Sequence, residues 1–291
     1  MRKRRFRQVD VFTRQPYLGN PLAVILDAEG LDGEQMQAIA RWTNLAETTF
    51  VLPPSDPQAD YRVRIFSPDT EFPFAGHPTL GTCHALLEAG VLPKTTDRWV
   101  QECGVGLVEV ARMPDDSLSF AAPQAALLPL DEAIRGELAL ALGTDQLSAR
   151  LPSMVVDMGI RWLVVRIDSA DACLAVRADP ARLSELTARC NVAGVALYGP
   201  SAQGESSTYE LRALLAEQGR LSEDPVTGSA NACLARVLQS QGFPDPGTQE
   251  GYRVRQGTAL RRNGQVSVRY VEQTPWIGGH SLTLVQGTLI A

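Results

Sequence analysis

The segment EDPVTGSANACLARVLQSQG, residues 223–242, repeats the pattern of EFPFAGHPTLGTCHALLEAG, residues 71–90. Aligned without gaps at a constant offset of 152 residues, the two segments are identical at a leucine within the predicted helix and at four positions that bound it. These four are Glu71 with Glu223, Pro73 with Pro225, Gly76 with Gly228, and Gly90 with Gly242. Each copy reads as a turn containing Pro and Gly, then a helix, predicted over 77–89 and 229–241, then a Gly where the helix ends. The pattern indicates a duplicated strand–turn–helix unit.

Outward from these two segments, the chain divides into two similar halves. Its 291 residues exceed the usual size of one domain, and many short strands surround one apolar helix in each half. We therefore expect an N-terminal domain over 1–125 and a C-terminal domain over 126–275, the second opening on a helix in LDEAIRGELALALG, residues 130–143. The last segment, 276–291, holds an alternating strand that we expect to return to the first domain.

Composition favours a soluble globular protein, with 44% hydrophobic and 21% charged residues. The net charge of −6 implies no basic surface and no nucleic-acid partner, and the basic start MRKRRFR is expected to be a frayed, solvated end. No segment has the roughly 18 consecutive apolar residues that span a membrane, and no signal peptide is recognisable. The five cysteines are scattered and never form a CxxC pair, which predicts reduced thiols and a cytoplasmic location.

The two predicted helix starts indicate a binding site for an anion. A helix N-terminus presents unpaired backbone N–H groups and a partial positive charge. Two such termini facing each other across a domain cleft would suit a carboxylate or a developing enolate. The residues that we expect to bind a small-molecule carboxylate are Gly76, Pro78, Gly228 and Ser229.

Acid and base groups lie beside the same two turns. Glu47 precedes a predicted strand, His77 heads the first helix, and Asp224 directly precedes the second turn. Together they form a plausible proton-transfer set that needs no cofactor. Taken singly, each has an ordinary structural reading, as a solvated charge, a hydrogen-bonding side chain and a helix cap. We expect burial to raise the pKa of Glu47, and the helix termini to lower it, as would His77 if it is protonated.

Several motifs together resemble the PhzF-like phenazine-biosynthesis family, which shares the diaminopimelate epimerase fold. They are NPLAVI, NLAETTFV, FPFAGHPTLGT, EDPVTGSA and IGGHSLTLVQGTL. The resemblance runs from about residue 8 to the end of the chain. Many relatives have no assigned substrate, so the substrate does not transfer. The chain also departs from the family pattern at ALLAEQGRLS, residues 213–222, where the resemblance implies a wall of the substrate pocket.

The resemblance implies an α+β fold of two pseudo-symmetric domains, each a β-barrel-like sheet around a central helix. It implies a cofactor-independent isomerase that moves a proton on a small carboxylic acid in the cleft between the domains, and often a homodimer. Residue by residue, the family's acid/base glutamate falls on Glu47, its histidine on His77 and its aspartate on Asp224. The family's glycine and serine at helix starts fall on Gly76 and Ser229.

Other site chemistries fit the sequence less well. A two-thiol racemase would need a cysteine at each helix start, whereas Cys83 and Cys233 lie inside their helices and read as buried core residues. His77 and His84 are two helical turns apart, too far to share a metal ion, and no metal site is expected. Nucleotide and hydrolase motifs are incomplete. A non-catalytic small-molecule binder or regulatory protein of the same fold remains the alternative.

Overall fold

A computed structural model describes residues 1–217 and 220–291, with Glu217 described by its backbone alone. The chain folds as two compact units, Met1–Ala121 together with Gly278–Ala291, and Ala122–Ile277. The sequence-based partition into epimerase-like domains at 125/126 and 275/276 stays a prediction. Of the divergent segment 213–222, residues 218 and 219 lie outside the described part of the chain.

Six α-helices and eighteen strands are present among the described residues. The helices are α1 Gly33–Thr43, α2 Gly76–Glu88, α3 Arg135–Leu142, α4 Ala170–Ala175, α5 Pro180–Cys190 and α6 Gly228–Ser240, with short 3₁₀ helices at Glu132–Ile134 and Thr258–Leu260. The strands are β1 Lys3–Val11, β2 Asn20–Ile25, β3 Glu47–Leu52, β4 Tyr61–Phe66, β5 Glu71–Phe72, β6 Arg98–Cys103, β7 Gly106–Arg112, β8 Leu118–Ala121, β9 Ala126–Pro129, β10 Met154–Asp157, β11 Arg161–Arg166, β12 Gly194–Pro200, β13 Tyr209–Glu217, β14 Arg220–Asp224, β15 Gly251–Gln256, β16 Gly264–Val271, β17 Thr274–Gly279 and β18 Ser281–Ile290.

One succession of strand pairings occurs in both units. In the first, β1–β2 is antiparallel, β2–β3 parallel, β3–β4 and β4–β5 antiparallel, β4–β6 parallel and β6–β7 antiparallel. In the second, β10 to β16 repeat the same six pairings in the same order. The last strand, β18, pairs antiparallel with β1 from Lys3 opposite Ile290 to Val11 opposite Ser281.

Each unit contains one thoroughly buried helix. In α2 all residues from Gly76 to Cys83 are buried, and in α6 most residues from Gly228 to Leu238 are buried. A helix that is apolar on every side belongs inside a core, whereas α1 buries only Met36 and Ala40 on one face. Gly81 lets α2 lie directly on β2, because an added Cβ would come within 2.6 Å of Leu22 Cδ2.

The expectation of a frayed N-terminus is wrong. The basic segment forms the start of β1, which pairs with β2 and β18, so its backbone is held on both sides. Arg4 is only 4% exposed and donates to the backbone oxygen of Glu29 at 3.0 Å. Arg5 forms a two-point ion pair with Asp27, at 2.9 and 2.7 Å. Nearby backbone carbonyl and carboxylate groups thus accept hydrogen bonds from these two arginines and keep their side chains in place.

The opening of the second unit also differs from expectation. The chain first forms β9, which pairs antiparallel with β10 from Pro129 opposite Met154, and regular α-helix begins only at Arg135. The short helix α4 was not predicted either. Its N-cap Ser169 accepts a hydrogen bond from the N–H of Ala172 at 3.1 Å, a local signal that the sequence does contain. No helix of the described residues is long and apolar enough to cross a membrane.

Candidate active site

Glu47 and His77 meet inside the first unit. Glu47 is the first residue of β3, opposite Leu22 in the parallel pair with β2, and His77 is the second residue of α2. Glu47 Oε2 lies 3.1 Å from His77 Nε2, at ion-pair distance, although the N–H direction falls outside good hydrogen-bond alignment. The side chain of Glu47 is 16% exposed and that of His77 only 4%. This contact places a carboxylate that solvent reaches against a buried imidazole.

The imidazole of His77 is held in its neutral form. Burial lowers its pKa from 6.5 to about 3, so the ring is uncharged at neutral pH. The buried amide of Asn20, the first residue of β2, donates from Nδ2 to His77 Nδ1 at 3.3 Å. With Nδ1 accepting, the ring proton lies on Nε2, facing Glu47. A protonated His77, the condition under which this residue would lower the pKa of Glu47, is therefore absent at neutral pH, because burial keeps the ring neutral.

Asn20 is a site residue that sequence reasoning missed. It belongs to NPLAVI, one of the motifs that carry the family resemblance, and it has no spacing relation to His77, 57 residues away. The available signal was a polar residue with two side-chain donors directly before Pro21 at the start of a buried strand. Only the pairing of β2 with β3 brings this strand start beside Glu47.

The N-terminus of α2 carries no side-chain cap. Its N-cap residue, Ala75, has no side-chain acceptor, and the first turn contains no acidic residue. Pro78 has no N–H, which leaves the N–H groups of Gly76 and His77 as the donors at this helix start. By contrast, α1 has a complete capping box between Asp32 and Gln35. The geometry leaves positive partial charge at the start of α2.

The second unit presents a corresponding turn. Asp224 is the last residue of β14, and α6 begins four residues later at Gly228. Asp224 Oδ2 accepts a hydrogen bond from the Thr227 hydroxyl at 2.5 Å. Ser229 Oγ accepts one from the indole N–H of Trp162 at 3.1 Å, so the proton of the serine hydroxyl is available to another acceptor. The first turn of α6 also lacks a side-chain cap bond and an acidic residue.

The sequence-predicted residues thus form two groups, one in each unit. Glu47 and His77 lie together at the start of α2 with Gly76 and Pro78. Asp224, Gly228 and Ser229 lie together around the start of α6. Their roles in substrate binding and catalysis stay predictions at this point.

The structure places the cysteines of the two central helices in the core, as the sequence predicts. Cys83 and Cys233 are fully buried, and burial raises the pKa of both thiols. Neither is suited to proton transfer at neutral pH. His84 lies 3.3 Å from Glu88 on the same helix, and within the described ranges no three His, Cys, Asp or Glu side chains are grouped as metal ligands would be.

Comparison with known proteins places the chain among relatives along its whole length. The model of the family described as phenazine biosynthesis-like protein matches residues 9–287. The chain is 34% identical to antisense-enhancing sequence 1 of Schizosaccharomyces pombe, over 99% of both chains. It is 31% identical to the trans-2,3-dihydro-3-hydroxyanthranilate isomerase of Pseudomonas fluorescens, over 97% of this chain and 98% of that one.

A solved structure described as a predicted epimerase from Pseudomonas aeruginosa superposes with a TM-score of 0.81, at 30% identity and covering 99% of both chains. Other structures of this family and of epimerases share the fold as well. The expected α+β, diaminopimelate epimerase-like fold is confirmed.

Proposed function

Since the chain belongs to the phenazine biosynthesis-like family and is an isomerase, we propose that it works without a cofactor and moves a proton on a small carboxylic acid. We place the substrate in the cleft between the two units, as the sequence predicts. The observation that supports this proposal is the contact of Glu47 with a neutral, buried His77 at 3.1 Å. The homodimer and the cytoplasmic location stay predictions.

Glu47 is the proposed proton carrier. As a carboxylate it takes a proton from a carbon next to an unsaturated or carboxylate-bearing carbon, and the C–H electron pair moves into that conjugated system. The same carboxyl group then returns the proton to another carbon of the substrate, so charge and proton count are restored. A neutral His77 suits this cycle, because it lies 3.1 Å from the carboxylate without fixing a positive charge beside it.

The helix starts are the proposed holders of the substrate carboxylate. The N–H groups of Gly76 and His77 in the first unit, and of Gly228 and Ser229 in the second, are unopposed by acidic residues in the first turns. Backbone donors at a helix N-terminus bind anions well and need no reorganisation as charge develops. The Ser229 hydroxyl, which already accepts from Trp162, has its proton left for an anionic oxygen.

Deuterium exchange tests the activity directly. The protein is incubated in D₂O with trans-2,3-dihydro-3-hydroxyanthranilate, the compound named for the Pseudomonas relatives, and with a panel of cyclic carboxylic acids. Conversion to an isomer, followed by ¹H NMR, or solvent deuterium on a substrate carbon, measured by mass spectrometry, is expected for at least one compound. Absence of both isomerisation and exchange with the whole panel would favour the non-catalytic binder of the same fold.

Replacement of the proton carrier tests the assignment. Glu47→Gln keeps size and hydrogen-bonding reach but cannot carry a proton, so kcat should fall by about 10² to 10⁴ while KM changes little. Glu34→Gln, at an exposed position in α1, is the matched control and should turn over normally. A Glu47→Gln protein with kcat near that of the control would contradict the assignment.

A further inference from the structure

Gln256, the last residue of β15, is fully buried and its side-chain amide has one possible orientation. Its Oε1 accepts from the backbone N–H of Thr227 at 3.0 Å, and its Nε2 donates to the backbone oxygen of Asp224 at 3.1 Å. A backbone N–H can only donate and a carbonyl oxygen can only accept. The two backbone groups therefore decide which end of the amide is nitrogen, a question that side-chain partners alone leave open.

The fixed amide sets the direction of the next hydrogen bond. Gln256 Nε2 also donates to Thr227 Oγ1 at 2.9 Å. A hydroxyl has a single proton, and that of Thr227 points to Asp224 Oδ2, 2.5 Å away. Asn231 completes the arrangement by donating to Gln256 Oε1 at 3.0 Å. The hydrogen bonds therefore run in one direction, from Gln256 Nε2 to Thr227 Oγ1 and from Thr227 to Asp224 Oδ2. Asp224 Oδ2 can only be the acceptor at the end of this series.

The position of Thr227 makes this arrangement unusual. It is the N-cap residue of α6, where a threonine hydroxyl ordinarily accepts a hydrogen bond from the second or third N–H of the helix. Here α6 has no side-chain cap bond, because the hydroxyl is turned toward Asp224. Thr227 thus donates its hydroxyl proton to the carboxylate of Asp224 and does not cap the helix. The first N–H groups of α6 are left for another acceptor.

We propose that Gln256 and Thr227 are positioning residues that hold Asp224 as an ionised hydrogen-bond acceptor beside the start of α6. A carboxylate that receives a hydroxyl proton is favoured over the carboxylic acid. Asp224 would then accept a hydrogen bond from a hydroxyl or amino substituent of the substrate, while the helix start binds the substrate carboxylate. The role of Asp224 toward the substrate rests on the proposed function. The direction of the hydrogen bonds from Gln256 through Thr227 to Asp224 does not depend on it.

The charged residues around the turn before α6 are the same in the wild type and in the Thr227 variants. Glu223 is paired with Arg212 at 2.8 Å, and Glu210 with Arg255 at 2.6 Å. Arg262 lies close to Gly257 after β15 and is the same in every variant. Differences between the Thr227 variants therefore report on the hydroxyl.

The test is a titration of the Asp224 carboxyl followed by ¹³C NMR on aspartate-labelled protein, with Asp224→Asn identifying its resonance. Thr227→Val removes the hydroxyl and keeps the shape, and the titration midpoint should rise by about one pH unit, the scale of one hydrogen bond to a charged group. Thr227→Ser keeps the hydroxyl, and its midpoint should stay with the wild type. Equal midpoints for the Val and Ser variants would overturn the proposal.

The role of Gln256 is tested by Gln256→Glu, which retains both acceptor bonds and loses the Nε2 donor to Thr227 Oγ1 and to the backbone oxygen of Asp224. It is made in the Thr227 and the Thr227→Val backgrounds, so that the effect of the added charge is common to both. The midpoint should shift further in the Thr227 background, because only there is a directed hydroxyl lost. Equal shifts in the two backgrounds would show that Gln256 does not act through Thr227. Neither measurement needs a substrate, so failure of the proposed reaction would leave both results interpretable.

Discussion

Replacing His77 should remove much of the acid sensitivity of the first unit. Burial holds the pKa of the folded-state ring at about 3, against 6.5 for an unperturbed histidine. The unfolded chain therefore binds a proton that the folded chain rejects. The resulting loss of stability is absent above pH 6.5 and grows as the pH falls from 6.5 toward about 3. His77→Gln, which cannot ionise, should be free of this contribution.

The size of the effect follows from the separation of the two pKa values. Each pH unit below 6.5 costs about 1.4 kcal/mol of unfolding free energy, so lowering the pH from 7 to 5 should destabilise the wild type by about 2 kcal/mol through this residue. The full difference down to pH 3 approaches about 5 kcal/mol, a large part of the stability of an ordinary domain. His77 should thus be a main contributor to acid unfolding.

Urea unfolding at pH 7.0, 6.0 and 5.0, followed by circular dichroism, measures this dependence. His84→Gln is the control, because the pKa of His84 is also lowered by burial but is raised in part by Glu88. The unfolding free energy of His77→Gln should fall by about 2 kcal/mol less than that of the wild type between pH 7 and pH 5. Equal pH slopes for the wild type and His77→Gln would refute the reasoning that the ring is buried and neutral.

Three substitutions test the packing of the central helices, and a fourth, in α3, is a control. Cys83→Ala and Cys233→Ala should each lower the unfolding free energy by about 1–3 kcal/mol through lost packing and leave turnover intact; activity lost on alkylation of folded protein would reopen a thiol mechanism. Gly81→Ala should cost about 1–3 kcal/mol, because its Cβ meets Leu22 Cδ2 at 2.6 Å. Gly136→Ala, in α3 with open space around it, should instead be neutral or stabilising by up to about 1 kcal/mol, and equal effects of the two glycine substitutions would contradict the close approach of α2 to β2.

Local signals explain which elements the sequence predicts well. Helices α1 and α5 follow aspartates that cap them, Asp32 and Asp179, and an N-cap residue of this type marks the start of a helix in the sequence itself. The central helices begin at Gly76 and Gly228, one residue before the predicted starts. Strand β9 was missed because four residues carry little periodicity, and its pairing with β10 is what makes it a strand.

The side chains that hold the candidate site are harder to predict than the site itself. Glu47, His77 and Asp224 stand next to recognisable turns, so sequence adjacency indicates them. Gln256 reaches its partner Thr227 from 29 residues away, and Asn20 reaches His77 from 57. These contacts depend on which strands become neighbours. A buried Gln in an alternating strand looks in sequence like any solvent-facing polar residue.

The two units brace their central helices with the same kind of contact. In the first, buried Gln101 on β6 donates to Thr79 Oγ1 at 2.9 Å. In the second, Asn231 donates to buried Gln256 on β15 at 3.0 Å. Thr79 and Asn231 are each three residues beyond the helix-start glycine, and β6 and β15 hold the same place in the succession of strand pairings. This correspondence supports the internal duplication that the sequence predicts.

The two helices differ at corresponding positions of their first turns, the N-cap residue and the second residue of the helix. Where the first helix has Ala75 and His77, the second has Thr227 and Ser229. The first pair leaves a neutral imidazole beside Glu47, and the second supplies a hydroxyl to Asp224. One carboxylate thus lies against a neutral ring that does not fix its charge, and the other is held as an acceptor by a directed hydrogen bond. In the proposed mechanism, Glu47 changes its protonation state and Asp224 does not. Divergence at these few positions would then give two equivalent helix starts different roles, with a proton carrier at one and a fixed acceptor at the other.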